Sequence, residues 1–315
     1  NSSAASDVYK RQNPYNPFSD LSATEVKDML VSMSEWESDH YKNLASRYWQ
    51  IMLAIMIEYN IRITFESIIL FSEPENFLQV LDELKKSEQI DDERYLKAVN
   101  IANSEAGKQA EISISRSAVV YEGDGSKLFG DHWGFNMRSA FEENAVVIVL
   151  LNEFAYGDFA RSTGQLVLED IKSLISRLLK GEYEEQETLL VLEELGVYVN
   201  DGIEGLLNRS RSAGVKTIVS MQTIADVDKE NPDLTRQIIG NCNDFMVMRV
   251  VDQESAETMA KLIGTEKGIQ KTSRTSEGIS TGESSNKLVE QFRVSPNDIK
   301  NFPSLFGIYY TKNKP

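Results

Sequence analysis

The chain has 315 residues, is 41% hydrophobic and carries a formal net charge of −16. That is enough apolar material for a sizeable core and a length that suggests roughly two domains. The charge excludes broad wrapping of a nucleic-acid backbone, which needs clustered Lys and Arg, so any DNA contact must be local. One cysteine, Cys242, excludes an intrachain disulfide framework, and two isolated histidines, His40 and His132, have no zinc-ligand spacing.

The first residues, NSSAASDVYKRQ, lack the apolar stretch of a secretory signal. Asp7–Gln12 corresponds to the codons GAT GTG TAT AAG AGA CAG, a string similar to a transposon end used in preparing DNA libraries. The natural protein is therefore expected to begin near Asn13, with residues 1–12 an adapter-like piece and the upstream gene cut away. An ordinary disordered tail is the alternative.

From Asn13 to about Ala110 the pattern is helical. Ser22–Glu25, SATE, forms a capping box after Pro17. Tyr41, Ala45, Tyr48, Met52, Ile55 and Tyr59 recur every three or four residues, a packed helix face and not a cofactor box. The longest apolar stretch, Ile51–Ile57, ends at Glu58 and is far short of the roughly 20 residues that cross a bilayer. Further helices are predicted over 74–86 and 91–108.

Glycine density rises over 123–135, which predicts a connection between units. The grammar then alternates. Val146–Leu151, VVIVLL, reads as a strand buried on both faces. A helix follows, with Ser162 as N-cap, Val167, Ile171, Leu174, Ile175, Leu178 and Leu179 on one face, and Gly181 as stop. Strands at 189–192, 215–220 and 245–250 alternate with helices at 203–212, 234–239 and 254–263. Repeated strand and helix imply a parallel sheet with right-handed crossovers, whose ligands sit beyond the carboxyl ends of the strands. The stretch 265–286, rich in Ser, Thr and Gly, predicts a mobile loop or an extended hairpin.

TLLVLEELG, residues 188–196, sets four contiguous apolar residues before Glu193 and Glu194. A solvated helix tip is one reading, because the preceding residues are good helix formers. The contiguity of Leu189–Leu192 and the place in the alternation favour a strand. On a strand the two acids would point to opposite sides, one toward a magnesium-bound water and one toward an attacking water. Gln222, after the neighbouring strand, could orient a water or meet a terminal phosphate. Arg209 and Arg211 end a helix, where a cation suits the dipole, or one of them serves a neighbouring subunit as an arginine finger. No GxxxxGK[ST] stretch occurs in the chain.

VNDGIEGLLNRSRSAGVKTIVSMQTIADVD and TRQIIGNCNDFMVMRVVDQESAETMAKLIG, together with NPFSDLSA near the start, resemble conjugative coupling proteins of the TraD/TraG type. The resemblance covers 13–312 and is most specific over 189–264. It implies a RecA-like P-loop NTPase of the α/β class whose parallel sheet lacks its P-loop strand, with an inserted all-helical domain at 13–122 and the motor part at 123–315. It implies ATP and Mg2+ as cofactors, Glu194 as the catalytic glutamate, Gln222 as sensor, Arg211 as arginine finger and Glu193 at the magnesium position, where the family has aspartate. Glu193, Glu194 and Gln222 would then contact the nucleotide. Implied partners are DNA, relaxase and relaxosome proteins and a type IV secretion channel. The intact protein would be a hexamer on the cytoplasmic side of a bacterial inner membrane, tethered through an upstream segment, and this chain alone would be inactive. A non-catalytic docking scaffold, an FtsK-like DNA translocase and a protein-secretion ATPase are the competing readings.

Overall fold

A computed structural model describes residues 13–34, 36–121, 125–129, 134–151, 153–184, 186–199, 202–228, 233–276 and 279–312. Residues 1–12, expected to be an adapter-like piece, lie outside this set, as do residues 123–124 and 130–133 of the connection. The chain divides into two compact units, one reaching to Gln186 and including Ser212–Gly214, the other formed by Glu187–Arg211 with Val215 onward.

The first unit is helical: α1 (Ala23–Met33), α2 (Asp39–Glu58), α3 (Phe65–Ser72), α4 (Pro74–Lys86), α5 (Asp92–Ala102), α6 (Glu105–Val120), the short α7 (Ser126–Phe129), α8 (Met137–Glu142) and α9 (Glu153–Leu179). The SATE capping box forms: the Ser22 hydroxyl accepts from the Glu25 N–H, and Glu25 accepts from the Ser22 N–H at 2.9 Å. Of the α2 stripe, Ala45, Tyr48, Met52 and Ile55 are buried, while Tyr41 at one end is exposed. Trp49, fully buried, donates its indole N–H to the Ser72 hydroxyl at 3.0 Å. The single helix predicted over 91–108 is two. Asn103 caps α5, and the Ser104 hydroxyl accepts from the Ala106 N–H to start α6. Side chains that satisfy backbone groups at both sides of a break let the chain bend there.

Partial burial of Glu25 pushes its carboxyl toward the neutral form, but the Ser22 N–H and hydroxyl, with the positive charge of Arg177, outweigh that and hold it below the usual range. A depressed folded value contributes stability above the unfolded pKa and loses it as pH falls through the folded one. Glu25→Gln is therefore expected to cost about 0.5–1 kcal/mol at neutral pH, with the gap to wild type closing below pH ~4; urea unfolding across that range checks it.

Two further predictions fail in this unit. Val146–Leu151 forms no strand: Val146 is 90% and Ile148 76% exposed, and no ladder partner exists among the described residues. β propensity makes a strand only where another backbone completes its hydrogen bonds. The helix expected to start at Ser162 begins at Glu153. Gly157 and Gly164 are poor helix formers and Ser162 a capping residue, but burial of Ala160, Thr163 and Leu166 carries the helix through them. Its stop is as predicted, with Gly181 at φ +71 and its N–H bonded to the Leu178 carbonyl.

The N-terminal segment is locked into this unit by a buried polar cluster. Asp170 of α9, fully buried, accepts from the Tyr15 hydroxyl (2.9 Å), the Met137 N–H (2.8 Å) and the Arg138 guanidinium (2.5 Å). Arg138 also donates to the Pro17 and Ser19 carbonyls. Burial raises the Asp170 pKa, against the opposing pull of Arg138, the Met137 N–H and Tyr15. Around it Tyr15, Phe18, Phe65, Phe129 and Phe135 pack ring against ring.

The second unit holds β1 (Thr188–Leu192), α10 (Ile203–Ser212), β2 (Val215–Val219), α11 (Ile224–Asp228), α12 (Leu234–Asn241), β3 (Asp244–Met248), α13 (Gln253–Ile263), β4 (Thr265–Ser276), β5 (Ile279–Phe292), α14 (Pro296–Lys300) and β6 (Gly307–Thr311). β1 and β2 pair in parallel, Thr188 opposite Val215 and Leu192 opposite Val219. β3 does not join them; it pairs antiparallel with β6, a strand the sequence reading missed. The single parallel sheet is thus corrected to a parallel ribbon and an antiparallel one. Each leaves an apolar face uncovered: Leu189 (60% exposed), Val191 and Ile218 on the first, Met246, Met248 and Tyr309 on the second. The other side of β3–β6 packs on α13 and α14 through Val247, Ala256, Ala260, Ile263, Ile299 and Phe302. Residues 265–286 are the hairpin alternative: β4 and β5 pair antiparallel, with an irregularity between Ser273 and Thr275.

Candidate functional site

The carboxyl ends of β1 and β2 carry the predicted acids and glutamine. β1 ends at Leu192, so Glu193 and Glu194 lie in the turn beyond it and the opposite-sides argument for a strand does not apply. Glu194 adopts a left-handed conformation, φ 49 and ψ 49, and a 3-10 turn follows over Leu195–Val197. That conformation costs a residue with a side chain about 1–2 kcal/mol, so neighbouring contacts must hold it. They do. The Leu195 N–H bonds the Ser220 carbonyl (3.1 Å), the Ser220 N–H bonds the Leu192 carbonyl (2.9 Å), and the Val197 N–H bonds the Glu194 carbonyl (3.0 Å).

The left-handed turn brings the Glu194 carboxylate to Gln222, whose Nε2 donates to Oε1 at 2.7 Å. Both side chains are exposed, so an incoming group can reach them. Glu193 is also exposed; its main-chain carbonyl accepts from the Tyr198 hydroxyl at 2.9 Å. Tyr198 is half-buried, and burial, then the charges of Glu193 and Glu194, push its pKa up to about 12. Its hydroxyl is a donor throughout the neutral range.

Gly196 is the point of closest approach between this turn and α11. A Cβ there would stand 2.8 Å from the Asp226 Cβ and 3.3 Å from its carbonyl carbon. Because Asp226 is tied to its helix, the backbone itself must move. Gly196→Ala is expected to cost about 1–3 kcal/mol, read as a lowered midpoint in urea unfolding. Sequence reasoning missed Gly196, Tyr198, Ser220 and Asp226. Of these only Gly196 gave a signal, as a glycine two residues past an acidic pair at a strand end.

Arg211 is not brought to this site. It is exposed in the last turn of α10, just before β2 begins, at the end of the parallel pair opposite Glu194. Five strand residues span roughly 17 Å, beyond the reach of an arginine side chain. Arg209 shares that helix end.

As donors, Glu193 and Glu194 suit magnesium, a hard cation that takes one or two carboxylates and completes its shell with water and phosphate oxygens. No group of three His, Cys, Asp or Glu side chains able to cage a metal occurs among the described residues. Two carboxylates alone leave most of a magnesium shell to water or to a bound group, and no GxxxxGK[ST] stretch occurs in the chain.

Residues 187–304 match the family described as the TraM recognition site of TraD and TraG. No curated protein matches the chain. Among solved structures it is similar to a bacterial conjugative coupling protein, TrwBdeltaN70 in its unbound monoclinic form, with 14% identity and a TM-score of 0.70 over 97% of this chain and 70% of that one. At this identity the likeness shows a common fold alone. Among the described residues no helix is long and apolar enough to cross a membrane. Residues 187–304 thus carry a region of the TraD and TraG family, and nearly the whole chain shares the fold of a conjugative coupling protein.

Proposed function

We propose that the chain is the motor part of an ATP-driven coupling protein that recruits DNA with its relaxase and moves them into a type IV secretion channel. The observation that carries this is the Glu194–Gln222 contact at the carboxyl ends of a parallel strand pair, the place where α/β sheets bind ligands. In this reading Glu194 orients and deprotonates the attacking water, and Gln222 holds the Glu194 carboxylate while sensing the terminal phosphate. Glu193 takes the magnesium position. When bound, the magnesium and ATP supply charge neutralisation and the phosphoryl group to be transferred. Arg211, at the far end of the strands, acts on a neighbouring copy's site, as a hexameric ring requires.

Without a GxxxxGK[ST] loop these residues do not turn over ATP by themselves. A phosphate-loop strand would lie between β2 and β3 and join the two ribbons into one sheet. The family description names a TraM recognition site, which supports a relaxosome protein as partner. A cytoplasmic position at a bacterial inner membrane, tethered by an upstream segment, goes with this role. The test is Glu194→Gln in the full-length protein: loss of DNA-stimulated ATP turnover supports the motor, and an unchanged rate leaves the docking scaffold.

A further inference from the structure

The acidic turn is strained at Glu194, and most of what holds it is backbone: Leu195 to Ser220, Val197 to Glu194, and Val199 to Leu195. These bonds fix the turn from Leu195 onward. Upstream, the Glu193 carbonyl is the last group before the left-handed residue. Among the described residues its partner is a side chain, the Tyr198 hydroxyl at 2.9 Å. Tyr198 closes the 3-10 turn, with its own N–H on the Leu195 carbonyl, so its ring folds back across the turn it terminates. The hydroxyl therefore ties the entry of the turn to its exit, and the residue between is the one whose carboxylate meets Gln222.

We propose that Tyr198 is a positioning residue for Glu194: its hydrogen bond to the Glu193 carbonyl holds the left-handed turn that presents the Glu194 carboxylate to Gln222. This rests on the reading of Glu194 as the water-activating group. Tyr198 touches no reacting atom in that reading; it sets where Glu194 stands. A carboxylate displaced by about an ångström from its water loses much of its rate while nucleotide binding, made elsewhere, is retained.

The test is Tyr198→Phe, which removes only the hydroxyl and keeps the half-buried ring. In this chain, hydrogen exchange at the Leu195 and Val197 amides is expected to quicken about fivefold. In the full-length protein, DNA-stimulated kcat is expected to fall about fivefold to tenfold with KM for ATP within twofold of wild type. Unchanged exchange at the turn overturns the proposal. So does an unchanged kcat in a protein whose Glu194→Gln variant is inactive, a result that leaves the motor reading standing. A rise in KM alone assigns Tyr198 to nucleotide binding and likewise overturns it. A Glu194→Gln variant with full turnover removes the motor reading, and the positioning role falls with it.

Discussion

Replacing Glu194 by glutamine is expected to lower DNA-stimulated ATP turnover about 10²–10³-fold in the full-length protein, with nucleotide affinity nearly unchanged. The substitution keeps the size of the side chain and its capacity to accept from the Gln222 amide at Oε1, so the geometry of the turn survives. What disappears is a group able to take a proton from water, and removing a general base of this kind costs on the order of 10²–10⁴ in rate. Binding is spared because a neutral amide does not repel the nucleotide's phosphates as a carboxylate does. Steady-state turnover with and without DNA, beside fluorescent-nucleotide titration, separates the two quantities. A variant that loses affinity and rate together would place Glu194 in ground-state binding.

The helical unit is expected to lose about 3–5 kcal/mol when Asp170 becomes asparagine, and its melting temperature to fall on the order of 10 °C. Arg138 is 4% exposed and its guanidinium faces Asp170, so the asparagine leaves a buried cation without its counter-charge. Asparagine also carries one acceptor oxygen where three donors converge: the Tyr15 hydroxyl, the Met137 N–H and Arg138. The cost is thus mainly that of an uncompensated charge and unmade bonds. It follows that Arg138→Met with Asp170→Leu should recover much of the loss, since removing both members of a buried pair is often close to neutral. The Pro17 and Ser19 carbonyls that Arg138 serves limit that recovery. Urea unfolding of the two single variants and the double variant measures the coupling.

Local signals were read where local chemistry decides. The SATE box is a local cap, Pro74 marks the start of α4, and the spans of α4 and α10 follow the helical period. The parallel pairing of β1 with β2 was legible because short apolar runs with a helix between them have few other arrangements. Glu194 and Gln222 could be matched for the same reason: both follow the ends of adjacent parallel strands. What was not legible depends on distant partners. β6 exists because β3 needs a neighbour, and GIYYT gives no hint of which edge it will take. VVIVLL satisfies every local rule for a strand and has no ladder among the described residues. Asp170 reads as one polar residue on an amphipathic helix, and nothing nearby announces Tyr15 and Arg138. The left-handed turn at Glu194 is held by Ser220 and Tyr198, contacts that no spacing rule encodes.

The Tyr15–Asp170 bond joins residues 155 apart in sequence. Helices between them can form as soon as their own residues leave the ribosome, but this closure must wait for the middle of α9. Contacts of such separation come late and slowly, since chain entropy is spent before the bond repays it. Nascent chains of this protein therefore carry the segment around Tyr15 unattached past a set of finished helices for most of the synthesis of the unit. Shutting that ring is the step at which the helical half stops being a string of helices and becomes a folded body.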